Sequence, residues 1–406
     1  MPSVCLYFHV HQPLRVKKYK VFDVGYDHEY FNDSSNSNLN NKKVLEKVSQ
    51  KSYLPANSLF LKLLKKYPQL KLNYSFSGVF LDQIRKHLPF ILTSFKKLID
   101  TGRVEILSET YHHSLAFFYS KTEFERQVNL HKTLVRKIFG LNPTVFRNTE
   151  LAYNNELAKW ADDKGYKAIL AEGWDPILGW KSANFVYRPI GTKKIKLLLK
   201  NYRLSDDIAF RFSEKSWKDW PLTAEKFSQW ISAINGNGHL VNLFMDYETI
   251  GEHQWKEHGI FDFLEKLPEE ILKDPENNFT TLTEAVQRFP AMDKLDVPHV
   301  LTWADTERDL SAWTGNAIQS SAIKFIYGLE KDILATEDIK LIKDWRNMQI
   351  SDHFYYMCTK WFADGDVHKY FNPYDSPYEA FISFMNAAND LKLRVETCLK
   401  KRKKKS

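Results

Sequence analysis

Val145-Phe-Arg-Asn-Thr-Glu150 and Leu240-Val-Asn-Leu-Phe-Met-Asp246 are apolar, β-prone runs that each lead into an acidic residue. In a chain whose strand-like and helix-like segments alternate, such runs indicate the buried strands of a parallel sheet with helical crossovers. A carboxylate at the carboxyl end of such a strand is typical of a catalytic residue. Two carboxylates, here Glu150 and Asp246, are the equipment needed to split a glycosidic bond.

The alternation extends over most of the chain. We predict strands and helices in turn at residues 3–11 (strand), 59–67 (helix), 70–77 (strand), 79–101 (helix), 104–108 (strand), 122–139 (helix), 143–148 (strand), 155–163 (helix), 167–171, 195–200 and 239–246 (strands). Seven strands before residue 250 favour a barrel over a small open sheet. From Thr314 onward only helical patterns occur, over roughly 314–334, 336–358 and 376–399. We therefore expect a catalytic barrel over 1–300 and a helical domain over 301–406 that contributes to the substrate cleft.

The composition is that of an ordinary globular protein. The 406 residues are 43% hydrophobic and 27% charged, and aromatic residues make up 15%, which suits both a large core and the stacking of rings on sugars. Much of the net charge of +8 lies in the basic run Leu399–Ser406, which we expect to be a solvated end. No other basic patch is interleaved with aromatic residues, so we expect no nucleic-acid partner. The sequence specifies no oligomeric state.

The cysteines and the amino terminus bear on location. Cys5, Cys358 and Cys398 are far apart and odd in number, which argues against a disulfide framework and favours a reducing compartment. The amino terminus runs directly into a predicted strand rather than a signal peptide. No apolar run approaches about 18 residues, so we expect no membrane partner and a cytoplasmic location.

The two acidic residues differ in their surroundings. Glu150 precedes a predicted helix, so it is either catalytic or a helix-start residue stabilised by the helix dipole. Arg147, three positions earlier, is able to keep a neighbouring carboxylate ionised, as a nucleophile requires. Asp246 ends an apolar strand and lies near Glu248, and both features predict a raised pKa that suits a general acid.

His9 and His11 lie on one face of the first predicted strand because side chains alternate. Three interpretations stay open: hydrogen bonds to sugar hydroxyls, a zinc site, or two satisfied core histidines. His113 follows the third predicted strand and adds an imidazole. Asp246, Glu248 and His253 are further candidate ligands.

Leu301–Trp313 is dense in charged residues and tryptophan. One interpretation is a helix start rich in capping acids with a solvated face. The other is a sugar platform in which Trp303 and Trp313 stack on the substrate while Asp305 or Asp309 binds its hydroxyls.

Five short motifs occur in an order that resembles glycoside hydrolase family 57, the α-amylase and 4-α-glucanotransferase family, and most closely its α-amylase-like members. They are His11-Gln-Pro13, Ser77-Gly-Val-Phe-Leu-Asp-Gln83, Phe146-Arg-Asn-Thr-Glu150, Met245-Asp-Tyr-Glu-Thr-Ile-Gly251 and the cluster from Trp303 to Trp313. The resemblance implies an incomplete (β/α)7 barrel with an added helical domain, an α/β fold.

The resemblance also implies residue roles. Glu150 would be the nucleophile and Asp246 the general acid/base, His11 would bind sugar hydroxyls near the cleavage point, and Glu248 would support the site. Asp82 stands where the family often has Glu, and its shorter side chain predicts a contact that is lost or bridged by water.

Together these observations predict a retaining hydrolase of α-1,4-glucan that needs neither metal nor cofactor. A 4-α-glucanotransferase would use the same residues. A metal-dependent glycan deacetylase would instead bind its metal through His9, His11 and Asp246. A catalytically silent glucan-binding protein is the remaining alternative.

Overall fold

The computed structural model describes residues 2–35, 37–360 and 367–404 and separates into two compact units. The first comprises Met1–His11, Glu46–Glu109 and Leu130–Trp303. The second comprises Gln12–Leu45, Thr110–Asn129 and Ala304–Ser406. We predicted a division at residue 300, with all earlier residues in the barrel. Two of those earlier segments, Gln12–Leu45 and Thr110–Asn129, instead pack with the second unit. The division into functional domains stays a prediction.

The first unit contains all ten strands of the described ranges. They are β1 Ser3–Val10, β2 Leu72–Phe76, β3 Val104–Ile106, β4 Val145–Phe146, β5 Ala168–Glu172, β6 Tyr187–Pro189, β7 Lys196–Lys200, β8 Leu240–Asp246, β9 Asn278–Phe279 and β10 Asp293–Leu295. Every residue of β1 and β2 is buried, which is why these strands read as continuous apolar runs rather than as an alternation.

The strand order is consistent with the expected incomplete (β/α)7 barrel. One sheet has the order β3-β2-β1-β8, and the other has β10-β6-β7-β5-β4. The Ser108 N–H donates to the Val145 carbonyl at 2.9 Å, which joins the end of β3 to β4. The Asn201 N–H donates to the Asn242 carbonyl at 2.9 Å, which joins the end of β7 to β8. The parallel strands therefore follow one another as β1-β2-β3-β4-β5-β7-β8, and the ring returns to β1 through the β1–β8 pairing.

Helices connect these strands: α1 Asn41–Val48, α2 Leu54–Lys66, α3 Gly78–His87, α4 Pro89–Ile99, α5 Lys121–Phe139, α6 Asn155–Asp163, α7 Asp175–Leu178, α8 Tyr202–Ala209, α9 Ala224–Ser232, α10 Ile260–Leu272 and α11 Leu282–Arg288. The single helix predicted over 79–101 is two helices, α3 and α4. Leu88 lies between them with φ −138°, because the residue before Pro89 is disfavoured in helical conformation.

The second unit is helical in its carboxyl-terminal part, as predicted. Its helices there are α12 Ser311–Thr314, α13 Ala317–Gly328, α14 Glu330–Thr336, α15 Ile339–Asn347, α16 Ser351–Tyr355, α17 Val367–Phe371 and α18 Pro377–Lys403. The predicted helices are divided further than expected. Glu337, for example, has φ +52° and ends α14.

The basic run at the carboxyl end is helical as far as Lys403. Within it, the Arg402 guanidinium bonds to the Ala335 carbonyl at 2.7 Å and to Glu337. Residues 405–406 of that run lie outside the described ranges. In the described part of the chain, no helix has the length and apolar character required to cross a bilayer.

Candidate active site

Glu150 lies in a strained turn directly after β4. The turn Thr149–Leu151 is a single 3₁₀ turn in which Glu150 has φ 58° and ψ 25° and Leu151 has φ 51°. Residues other than glycine rarely adopt this left-handed conformation, and such strain is concentrated at functional sites. The buried side chain of Leu151 packs in a hydrophobic cluster with Tyr7 and Phe244, and this packing holds the turn in place.

Trp303 binds both the backbone and the carboxylate of Glu150. Its N–H donates to the Glu150 carbonyl at 3.3 Å, and its indole Nε1–H donates to Glu150 Oε2 at 2.8 Å. A donor at this distance favours the charged form of a carboxylate over its neutral form.

Arg147 lies fully buried beneath this tryptophan. Its guanidinium is 5.0 Å from the centre of the Trp303 ring, and its Nη1 is 3.8 Å from Glu109 Oε2. Lys200 Nζ is a second cation near the ring, at 5.7 Å. We predicted that Arg147 keeps the Glu150 carboxylate ionised. In the structure its guanidinium packs on the Trp303 ring, whose N–H binds Glu150.

Asp246 is the last residue of β8 and pairs in register with His9 of β1. The next turn, Tyr247–Thr249, carries Glu248, which is 5% exposed and accepts a hydrogen bond from the Tyr53 hydroxyl. Burial raises the pKa of Tyr7; Arg147 opposes this effect, while Glu109 and Asp246 add to it. The charges of these residues therefore act on one phenol inside the barrel.

His9 and His11 stack with ring centres 5.9 Å apart, as expected for alternate residues of one strand. His9 Nδ1 is 2.9 Å from Ser75 Oγ, and His11 Nδ1 is 2.6 Å from Ser77 Oγ. Serine hydroxyls of the neighbouring strand and the turn after it thus bind one nitrogen of each ring.

The proposed ligand set His9, His11 and Asp246 does not converge. Among the described residues of the first unit, no three His, Cys, Asp or Glu side chains bring a ligand atom each within 4.8 Å of one another.

Three charged groups at strand ends escaped the sequence reasoning. Glu109 is fully buried after β3, with Oε2 3.9 Å from His9 Nδ1. Glu172 is the buried last residue of β5. Lys200 ends β7, with Nζ 2.9 Å from Asp206 Oδ1 and 3.5 Å from Glu172 Oε2. The pattern that selects Glu150 and Asp246, a charged residue where a buried strand ends, would have found all three.

Asp82 lies on α3 at the surface of the first unit. Its side chain is 36% exposed, and its Oδ1 is 3.6 Å from Arg85 Nη1 of the same helix. Its predicted contact with substrate or nucleophile stays a prediction.

The remaining candidates belong to the second unit. His113 is buried, and its carbonyl accepts the Ser351 N–H at 2.9 Å. Asp309 is exposed and accepts the Ser311 N–H at 2.7 Å, where α12 begins. Trp313 is 1% exposed and packs against Tyr355 with ring centres 5.9 Å apart, so its ring belongs to the helical core. Their roles in substrate binding stay predictions.

Comparison with known proteins identifies the family. The profile of glycosyl hydrolase family 57 matches residues 5–298. A protein named "Putative alpha-amylase" from Methanocaldococcus jannaschii is 40% identical over 97% of this chain and 85% of its own length. A 4-alpha-glucanotransferase from Thermococcus litoralis is 22% identical, and the match covers 71% of this chain but only 42% of that protein.

Two solved structures share the fold. A family 57 branching enzyme from Thermococcus kodakaraensis superposes with TM-score 0.67 at 14% identity, over 91% of this chain and 87% of the other. An alpha-amylase from Thermotoga maritima gives TM-score 0.59 at 14% identity, over 98% and 92%. With the profile covering most of the chain and a relative at 40% identity, the chain belongs to glycosyl hydrolase family 57.

Proposed function

We propose that the protein hydrolyses α-1,4-glucosidic bonds of starch, glycogen or maltodextrin with retention of configuration. The observation that carries the proposal is the carboxylate of Glu150, which stands on a strained strand-end turn with an indole N–H at 2.8 Å. The similarity to a relative named as an α-amylase supports the choice of substrate.

The reaction uses the carboxyl groups in sequence. Asp246, protonated, donates its proton to the glycosidic oxygen while Glu150 attacks the anomeric carbon and forms a covalent glycosyl-enzyme. Asp246, now a carboxylate, takes a proton from water, and the water oxygen displaces Glu150 from the sugar. Retention requires the two carboxyl groups to lie about 5–5.5 Å apart.

A 4-α-glucanotransferase is the second candidate. The relative of that name in Thermococcus litoralis favours it. The mechanism is unchanged as far as the glycosyl-enzyme, after which the hydroxyl of another glucan replaces water. The two functions therefore differ in products and not in catalytic residues.

Product analysis tests the proposal. EDTA-treated protein is incubated with maltoheptaose beside Glu150→Gln, Asp246→Asn and the control Glu225→Gln, whose side chain is exposed on α9. We expect shorter maltodextrins from wild type and control and a loss of at least about 10³-fold in kcat for either catalytic variant. Products longer than the substrate would assign the transferase, and a wild type inactive with or without EDTA would refute both.

Proton NMR of the first products tests the stereochemistry. A retaining enzyme releases the α-anomer before mutarotation. Initial release of the β-anomer would exclude Glu150 as a nucleophile and indicate inversion.

A further inference from the structure

We infer that Ser75 and Ser77 fix His9 and His11 in the tautomer that carries its hydrogen on Nε2, so that both imidazoles are hydrogen-bond donors at Nε2. The serines are positioning residues, because they act through the histidines. The role toward substrate rests on the proposed function, whereas the tautomer itself is measured without turnover.

For His11 the argument is a count of donors and acceptors around Ser77. The Ser77 hydroxyl is fully buried, and its oxygen accepts the Phe80 N–H at 3.2 Å as the amino-terminal cap of α3. Within the ranges that the structure describes, the acceptor for the hydrogen of the Ser77 hydroxyl is His11 Nδ1, which lies 2.6 Å from Ser77 Oγ. Because a buried donor left without an acceptor is costly, Ser77 donates to Nδ1. A neutral imidazole that accepts at Nδ1 carries its hydrogen on Nε2.

For His9 a short chain of hydroxyls gives the same result. The Tyr7 hydroxyl is 2.7 Å from Ser75 Oγ, and Ser75 Oγ is 2.9 Å from His9 Nδ1. Tyr7 and Ser75 are fully buried. The hydrogens of both hydroxyls have an acceptor only if the chain of hydrogen bonds runs from Tyr7 to His9. Tyr7 then donates to Ser75, and Ser75 donates to His9 Nδ1.

Glu109 is the nearby charge that would oppose this assignment. Its Oε2 is 3.9 Å from His9 Nδ1, which exceeds hydrogen-bond length, and the same oxygen faces Arg147 Nη1 at 3.8 Å. The hydrogen-bond partner of His9 Nδ1 is therefore the Ser75 hydroxyl, at 2.9 Å, and not Glu109.

The arrangement originates in the strand register. His9 pairs with Ser75 where β1 meets β2, and two residues later the Ser77 N–H still binds the Val10 carbonyl. Since side chains alternate with the same period in both strands, His-x-His meets Ser-x-Ser. The repeated pairing gives both rings the same orientation and the same tautomer.

The tautomer separates two kinds of chemistry. An Nε2–H donates to an acceptor such as a sugar oxygen, whereas a metal needs the Nε2 lone pair, which is commonly secured by a carboxylate or carbonyl that accepts from Nδ1–H. With its hydrogen on Nε2, each imidazole of the pair is a donor, and a metal would have to displace that hydrogen.

Histidine nitrogen NMR tests the inference. The full-length protein, labelled with ¹⁵N-histidine, is measured by long-range ¹H–¹⁵N correlation at a pH of about 8, above the ordinary imidazole pKa. His9→Asn and His11→Asn assign the two rings. We expect Nδ1 without hydrogen and Nε2 with hydrogen in both. Hydrogen on Nδ1 of either ring would overturn the assignment for that ring.

Substitution of Ser77 by Asp links the tautomer to function. Asp also caps helices, and the start of α3 favours its ionised form, so it accepts from Phe80 but cannot donate to His11. We expect the hydrogen to move to His11 Nδ1 and kcat/KM on maltoheptaose to fall on the order of tenfold. The control Ser77→Thr keeps the hydroxyl and should keep both values.

An unchanged His11 tautomer in folded Ser77→Asp would refute the role of Ser77. If wild type shows the expected tautomers but does not act on glucan, the proposed function fails while the tautomer assignment stands.

Discussion

At the scale of single residues, the indole N–H of Trp303 is the contact that supports the charge of Glu150. Trp303→Phe removes the donor at 2.8 Å and keeps a ring for Arg147 to pack against. We expect kcat to fall about tenfold with little change in KM, because the lost bond acts on the nucleophile.

The control for this variant is Trp180→Phe, since Trp180 is 89% exposed. Equal kcat values for the two variants would show that the indole N–H does not act on Glu150.

The sequence alone singles out Glu150 and Asp246 as candidates, because a charge at the end of a buried strand is a local pattern. Their partners were not predictable in the same way. Trp303 meets Glu150 across 153 positions, and Ser75 meets His9 across 66. Such pairs depend on strand order and register, which composition and periodicity do not specify.

At the scale of elements, the seven predicted strands match β1–β5, β7 and β8 within a few residues, because buried parallel strands are continuous apolar runs. The short strands β6, β9 and β10 were not predicted. Turns were less accessible. The turn that holds Glu150 in left-handed conformation has no glycine to signal it, and only the packing of Leu151 and the bonds from Trp303 reveal why it is tolerated.

The turn after β8 provides a prediction at this scale. Gly251 has φ +98°, and a Cβ there would lie 2.0 Å from the Lys51 carbonyl oxygen. Gly251→Ala should therefore lower the free energy of unfolding by roughly 2–4 kcal/mol. It should also lower kcat/KM, because this turn follows Glu248. The control Gly236→Ala has a similar φ of +80° with nothing within 4 Å of its Cβ. Urea unfolding that shows equal losses for both variants would contradict the steric argument.

At the scale of the whole molecule, the sequence predicted the barrel and the helical region but not how the chain is shared between the two units. Gln12–Leu45 and Thr110–Asn129 follow strands β1 and β3, yet they pack with the carboxyl-terminal helices. Loops at the carboxyl ends of strands have no regular hydrophobic periodicity in their sequence. Which unit such a loop packs against is therefore seen only in the folded structure.

Within the second unit, one ion pair should make stability depend on pH. Asp305 lies 2.9 Å from His368 Nε2 and 3.3 Å from Lys360 Nζ. Burial lowers the pKa of His368, but the hydrogen bonds that its ring makes to Asp305 and Cys358 outweigh this effect and raise the pKa to about 9. The pKa of His368 in the folded protein exceeds the unfolded value of about 6.5. The ion pair therefore stabilises the fold fully below a pH of about 6.5, and this stabilisation is lost as pH rises through about 9.

Urea unfolding of wild type and His368→Gln near pH 6 and pH 9.5 measures this contribution. We expect wild type to exceed the variant by on the order of 2 kcal/mol at the lower pH and by much less at the higher pH. Comparing the two proteins cancels the titration of other groups. A difference that is the same at both values would show that the pair's charge does not contribute to folding, and that His368 acts through packing alone.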